Sequence, residues 1–178
     1  MAEPKREARL VLQARSGDSE ALESLLCDIQ ASLLRYISGI VGPSGAEDVL
    51  QNVFLEICRN LKWLRDPELF RPWAYRIASR ASFALLKRER RWSNPGQETV
   101  SVEELPDPRD PRMSELFSGM AGILERISPA SRAVLLLHYV QDLSIDEAAA
   151  ILDINIGTAK SRLAYGLSCL RKSMERRK

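Results

Sequence analysis

Apolar residues recur along this chain at the three-and-four spacing that gathers them on one face of a helix. Leu22, Leu25, Leu26, Ile29, Leu33 and Ile37 share one face and predict a helix over 19–40. A shorter helix over about 5–16 precedes it, broken and capped by Gly17 and Asp18. Gly42-Pro43-Ser44-Gly45 predicts a turn. Val49, Leu50, Val53, Phe54 and Ile57 then predict a third helix over 46–61, and a fourth starts near Pro72, a proline suited to a first turn, and runs to about Trp92. Four helices of this length close one core.

Helical spacing returns near Ser114, and Ser128-Pro129 reads as a cap followed by a first-turn proline for the helix of Arg132, Val134, Leu135, Leu136, Leu137 and Tyr139. Beyond it, Ala148, Ala149, Ile151 and Leu152 give a short helix a face small enough for a close crossing. Asn155 or Asp153 ends that helix and caps the next, which opens on small polar and basic residues. That is the pattern of a helix-turn-helix. Thr158, Lys160, Ser161 and Arg162 present donors from the first turns, where a recognition helix meets the major groove, while Ala159 and Leu163 pack it down. A purely structural helical hairpin is the competing reading of these residues alone.

Residues 93–113 hold Pro95, Pro106, Pro108 and Pro111 with almost no apolar side chains, the composition of a linker. The expected fold is therefore all-α: two small helical domains, 1–92 and 114–178, joined by a flexible, acidic, proline-rich tether.

Composition narrows the function. With 45% apolar residues among 178 there is material for packed cores, and the net charge of +2 says little until it is divided along the chain. Residues 1–92 carry 15 Lys or Arg against 12 Asp or Glu, 93–117 carry 2 against 6, and 118–178 carry 9 against 6, so two basic blocks flank an acidic one. No apolar run approaches the roughly 20 residues of a membrane helix, and Met1-Ala2-Glu3-Pro4-Lys5-Arg6 lacks an apolar signal core, so a cytoplasmic protein without membrane insertion is expected. Cys27, Cys58 and Cys169 stand alone, and His138 is the only histidine. No metal set, phosphate loop or catalytic constellation can be assembled, which argues against an enzyme and against any cofactor.

The fourth helix is unlike the rest. Between Arg71 and Arg91 it has Arg71, Arg76, Arg80, Lys87, Arg88, Arg90 and Arg91 against the single acid Glu89, with Phe70, Trp73, Tyr75 and Phe83 interleaved. A helix that needed only solubility would mix its signs; this one reads as a phosphate track with aromatics available to unpaired bases.

Taken together, these stretches carry a family resemblance. Ala46-Glu47-Asp48-Val49-Leu50-Gln51-Asn52-Val53-Phe54, followed by Phe70-Arg71-Pro72-Trp73-Ala74-Tyr75-Arg76-Ile77-Ala78, resembles domain two of the extracytoplasmic-function sigma factors of bacterial RNA polymerase, within the sigma-70 family. Ile127-Ser128-Pro129, Leu135-Leu136-Leu137 and Gly157-Thr158-Ala159-Lys160-Ser161-Arg162-Leu163 resemble their domain four. The resemblance covers nearly the whole chain, in order.

It implies a dissociable subunit that binds core RNA polymerase and directs promoter-specific initiation, often under the control of an anti-sigma factor. By that resemblance Asp48, Gln51 and Phe54 dock on the polymerase. Arg71, Trp73, Tyr75, Arg76, Arg80, Lys87 and Arg88 melt and read the minus-ten element, and Thr158, Lys160, Ser161, Arg162 and Tyr165 read the minus-thirty-five element. It also implies that the linker, with Glu98, Glu103, Glu104, Asp107 and Asp110, threads the polymerase toward the RNA path. The chain departs from the family pattern at Arg80, where an asparagine is usual, at Ala84, where an aspartate is usual, and over Ala164-Tyr165-Gly166-Leu167, which supplies fewer donors. A helix-turn-helix transcriptional regulator would explain residues 128–172 but not the basic aromatic helix, and a sigma-like protein-interaction module would tolerate the departures.

Overall fold

The computed structural model describes residues 4–92, 124 and 127–175, and every regular element among them is helical. The first block comprises α1 (Pro4–Arg15), α2 (Ser19–Val41), α3 (Pro43–Asn60), two short 3-10 turns (Leu61–Trp63 and Pro67–Leu69) and α4 (Phe70–Trp92). The second comprises α5 (Pro129–Leu135), a π-helical turn continuing it (Leu136–Val140), α6 (Ile145–Leu152) and α7 (Ile156–Glu175). The linker and the helix expected from Ser114 lie outside the described residues, apart from the buried Leu124 and Ile127.

Local chemistry sets the boundaries. The Asp18 carboxylate accepts the Glu20 and Ala21 N–H groups, both at 3.0 Å, and so starts α2. Gly42 alone makes the next turn: at φ 88° it sits where a side chain would be strained, and its N–H closes on the Ser38 carbonyl at 2.9 Å. Pro43 then needs no N–H partner, so α3 begins there and not at Ala46 as the spacing suggested. Likewise α4 begins at Phe70, leaving Pro72 still in its first turn. The stretch 61–69 escaped the sequence reading because three-residue turns have no periodicity to detect.

In the first block, Leu25, Ile29, Leu33, Tyr36, Ile37 and Ile40 of α2 are fully buried, packed with Val53 and Ile57 of α3 and Phe70, Ala74 and Ala78 of α4. Contrary to the expectation from apolar run length, Ser19–Val41 is long and apolar enough by length and composition to cross a membrane. Its apolar face is instead taken up by α1, α3 and α4, which makes it a core helix. Tyr36 and Ser79 share a hydrogen bond at 2.7 Å in this core, and the Tyr36 and Tyr75 rings meet edge-on at 5.3 Å. Burial pushes both phenols up, keeping them neutral donors.

Glu7 of α1 is 6% exposed, and its carboxylate pairs with the Arg71 guanidinium at 2.6 Å, tying α1 to α4. Burial raises the Glu7 carboxyl above its ordinary value, and Arg71 only partly opposes this. A group raised on folding contributes most below its unfolded pKa and loses that contribution as the pH climbs through the raised one. Wild type should therefore gain stability relative to Glu7→Gln as the pH is lowered into the carboxylate range. Arg71→Ala, which strands the buried charge, should cost about 1–3 kcal/mol near neutrality. Thermal unfolding over a pH series tests both; a pH-independent gap between wild type and Glu7→Gln would refute the assignment.

The second block is built by caps. Ser128 Oγ accepts the Ser131 N–H at 3.3 Å ahead of α5. Ser144 and Glu147 form a reciprocal capping box on α6, and the Ser144 hydrogen bonds lower the Glu147 carboxyl. Asp153 ends α6 in the left-handed conformation at φ 56°, and Asn155 Oδ1 accepts the Thr158 N–H at 2.7 Å to start α7. The two residues that the sequence left as alternatives thus do one job each. α5 with its π turn packs on α2, and α6 packs on α4, so the apolar cluster runs continuously through both blocks.

Candidate nucleic-acid and protein interfaces

Three outward faces carry the candidate residues. On α4, Ala74, Ala78 and Ser82 face the core, which leaves Trp73, Arg76, Arg80, Phe83 and Lys87 along the opposite stripe. Arg80 and Lys87 are exposed. Arg76 is half-buried because its guanidinium donates to the Ala150 carbonyl of α6. Arg88 is also exposed, but it lies to one side, lining an open groove of about 550 Å³ between α3 and α4 with Asp48, Asn52 and Leu85.

The remaining members of this set are occupied differently. Arg71 is committed to Glu7. Tyr75 is 3% exposed and donates its hydroxyl to Gln141, so it cannot stack on a base in this arrangement. Trp73 is half-buried against Phe70, with ring centroids 6.2 Å apart. An aromatic that the sequence reading passed over is more accessible: Trp63, in the turn after α3, is 72% exposed with the Lys62 ammonium 5.1 Å from its ring centre. Its sequence cue was a tryptophan beside a lysine where helical spacing fails.

On α7, Lys160 is exposed, while Thr158, Ser161, Arg162 and Tyr165 are half-buried. The Thr158 N–H is held by Asn155, and Ser161 Oγ donates back to the Gly157 carbonyl at 3.0 Å. The exposed Ile156 extends this face by an apolar group that the sequence reading left out. The departure at Ala164-Tyr165-Gly166-Leu167 has a packing cause: Ala164, Gly166 and Leu167 are buried against the helices beneath, and small residues let α7 lie close.

On α3, Val49, Leu50, Val53 and Ile57 point inward, and Asp48, Gln51 and Asn52 are exposed. Phe54 is half-buried and packs on the core. Its neighbour Leu55 is 52% exposed, one helical turn from Gln51 on the outward face. An apolar group ringed by polar ones is the usual anchor of a protein interface.

Two family models match this chain: Sigma-70 region 2 over residues 28–92, and Sigma-70, region 4 over residues 120–170. The ECF RNA polymerase sigma-E factor of Escherichia coli strain K12 is 28% identical over 174 residues, covering 92% of this chain and 91% of that protein. The RNA polymerase sigma-E factor of Streptomyces antibioticus is 28% identical over 165 residues, covering 90% and 88%. The solved structure of CnrH in complex with the cytosolic domain of CnrY shares the fold, with a TM-score of 0.69 at 21% identity over 96% of this chain and 97% of that one.

Proposed function

This chain belongs to the sigma-70 family as an ECF sigma factor, a non-enzymatic subunit that binds core RNA polymerase and directs promoter-specific initiation, and we propose that its three outward faces divide that work. Residues 1–92 hold the polymerase-docking and minus-ten faces, and 114–178 the minus-thirty-five face. The α4 stripe of Arg76, Arg80 and Lys87 holds the melted strand by its phosphates, with Trp63 and Trp73 as the flanking aromatics. The observation that carries this is the alignment of Arg76, Arg80 and Lys87 on one face of α4, opposite the buried Ala74, Ala78 and Ser82. Lys160 and Arg162 lie nearest the upstream element from the first turns of α7. Asp48, Gln51 and Leu55 meet the polymerase, with Phe54 as support from beneath.

An anti-sigma partner belongs to the same reading, since CnrH, which shares this fold, was solved holding the cytosolic domain of CnrY. A cytoplasmic location follows from work on the polymerase.

In vitro transcription with added core polymerase tests the proposal at large, because specific initiation must depend on this chain. For the docking face, Leu55→Ala should weaken core binding about tenfold, in the range of an interface anchor, while the melting temperature stays put. Asp48→Ala with Gln51→Ala should act in the same direction. Phe54→Ala should instead lower the melting temperature. Core pull-down unchanged in the Leu55 and Asp48/Gln51 variants would remove α3 as the docking helix.

A further inference from the structure

We propose that Ile156 reads the 5-methyl group of a thymine in the major groove of the upstream promoter element, a specificity residue on a helix whose other candidates are hydrogen-bond donors. The inference rests on the assignment of α7 to that element given above. Ile156 is the first residue of α7 and is 45% exposed. The isoleucines before it are used by the fold: Ile151 is buried and Ile154 packs on the core, whereas Ile156 stands outside the apolar cluster. The fold therefore gains little from this side chain.

The tip that carries it is held in place. Asn155 Oδ1 accepts the Thr158 N–H at 2.7 Å, and the Asn155 carbonyl accepts the Ala159 N–H at 3.1 Å, so the first turn of α7 is tied to its cap twice. Ala159 and Leu163, buried beneath, seat the helix. Asn155, Ile156, Gly157 and Lys160 are the exposed residues at this end, the end of a recognition helix that comes nearest to base edges.

Gly157 adds an independent observation. A Cβ there would meet nothing nearer than Asn155 Oδ1 at 3.4 Å, and its φ is not positive. Neither packing nor backbone conformation requires glycine, although a helix favours alanine over it. The missing side chain leaves open space beside Ile156, through which a base edge can come against the isoleucine.

The floor of the major groove presents donors, acceptors and a single kind of apolar group, the C5-methyl of thymine. An isoleucine pressed against a donor or acceptor strips its water and returns no hydrogen bond, which costs affinity. Against the methyl it buries apolar surface on both sides. Ile156 therefore favours thymine at the one position it touches and disfavours the other bases there. Lys160, one turn along on the same edge of α7, supplies charge to the neighbouring phosphates without that preference.

The test uses holoenzyme assembled from the full chain and core polymerase. A promoter is recovered by transcription from a duplex library randomised across the promoter region. Each thymine of its upstream element, on either strand, is then replaced singly by deoxyuridine, which removes only the methyl. The expected result is one position at which wild type binds about fourfold more weakly, the size of one buried methyl. Ile156→Ala should bind the thymine and deoxyuridine duplexes alike, and Ile156→Val, which keeps a branched apolar end, should retain most of the difference. Both should melt at the wild-type temperature, because Ile156 lies outside the core. Gly157→Ala should narrow the ratio without lowering the melting temperature, and Lys160→Ala should weaken both duplexes equally and keep it.

A wild type insensitive to the methyl at every position would overturn the proposal. So would a deoxyuridine penalty that persists in Ile156→Ala. If the library yields no upstream preference and Lys160→Ala with Arg162→Ala changes nothing, the assignment of α7 to the upstream element falls and the proposal with it. An intact upstream preference without a methyl effect overturns the proposal alone.

Discussion

Replacing Arg80 and Lys87 together by Glu is expected to abolish open-complex formation on a duplex promoter and to cost much less on a template that is already melted. Both side chains are exposed on the outward stripe of α4 and neither has a packing role, so the fold should survive the change. On a duplex, capture of the unpaired strand must offset the loss of base stacking, about 1.4 kcal/mol per step. Two reversed charges turn attraction into repulsion at the moment of capture. On the melted template that cost is already met, and only affinity is lost. Two phosphate contacts removed from a single strand should flatten the log–log salt dependence by about 1.4. Permanganate reactivity of the promoter and initiation from a bubble template measure the two cases. Equal loss on both would assign these residues to polymerase docking or folding and not to the strand.

The second large effect concerns a residue with no donor to offer. Gly166→Val should destabilise the second block by about 3 kcal/mol, near the upper end for an overpacked core, and abolish binding to the upstream element. Glycine inside a helix ordinarily costs about 1 kcal/mol relative to alanine, so a side chain here would be expected to help. At Gly166, however, a Cβ would stand 2.4 Å from Leu135 Cδ1 and 3.0 Å from its Cγ, and Leu135 is fully buried, so it can give way only by displacing other core side chains. Overpacking wins, and α7 must lift from α5, taking Lys160 and Arg162 out of register. Gly157, whose nearest neighbour to an added Cβ is Asn155 Oδ1 at 3.4 Å, is the control: Gly157→Ala should hold or raise the melting temperature. If Gly166→Val melts at or above the wild-type temperature, the close crossing of α5 and α7 is not what positions the recognition helix.

Much of the fold was legible because the apolar stripes are long and the punctuation is chemically explicit. Asp18 and Ser128 each cap a helix within three residues, and such local hydrogen bonds can be read from a string of letters. The start of α3 differs from the expectation at Ala46 because Pro43, placed in the turn, itself opens the helix, and α4 begins at Phe70 with Pro72 inside its first turn. For the candidate sites the residue types were legible and their availability was not. Arg71, Arg76 and Arg80 look alike on a helical wheel, yet one pairs with Glu7, one is held by α6, and one is exposed.

The sequence by itself determined that this protein is a set of amphipathic helices with a helix-turn-helix in its second block, and that one helix carries a strongly basic track. Periodicity and local capping report on each helix about its own axis, and those properties need nothing further. Only the tertiary structure decided that Leu55 and not Phe54 faces outward at full reach, that Tyr75 is closed off, that Gly39 and Gly166 are points of contact, and that Arg76 answers to a carbonyl of α6. Those outcomes depend on where a second helix crosses the first, and crossings are set by contacts between residues far apart in the chain.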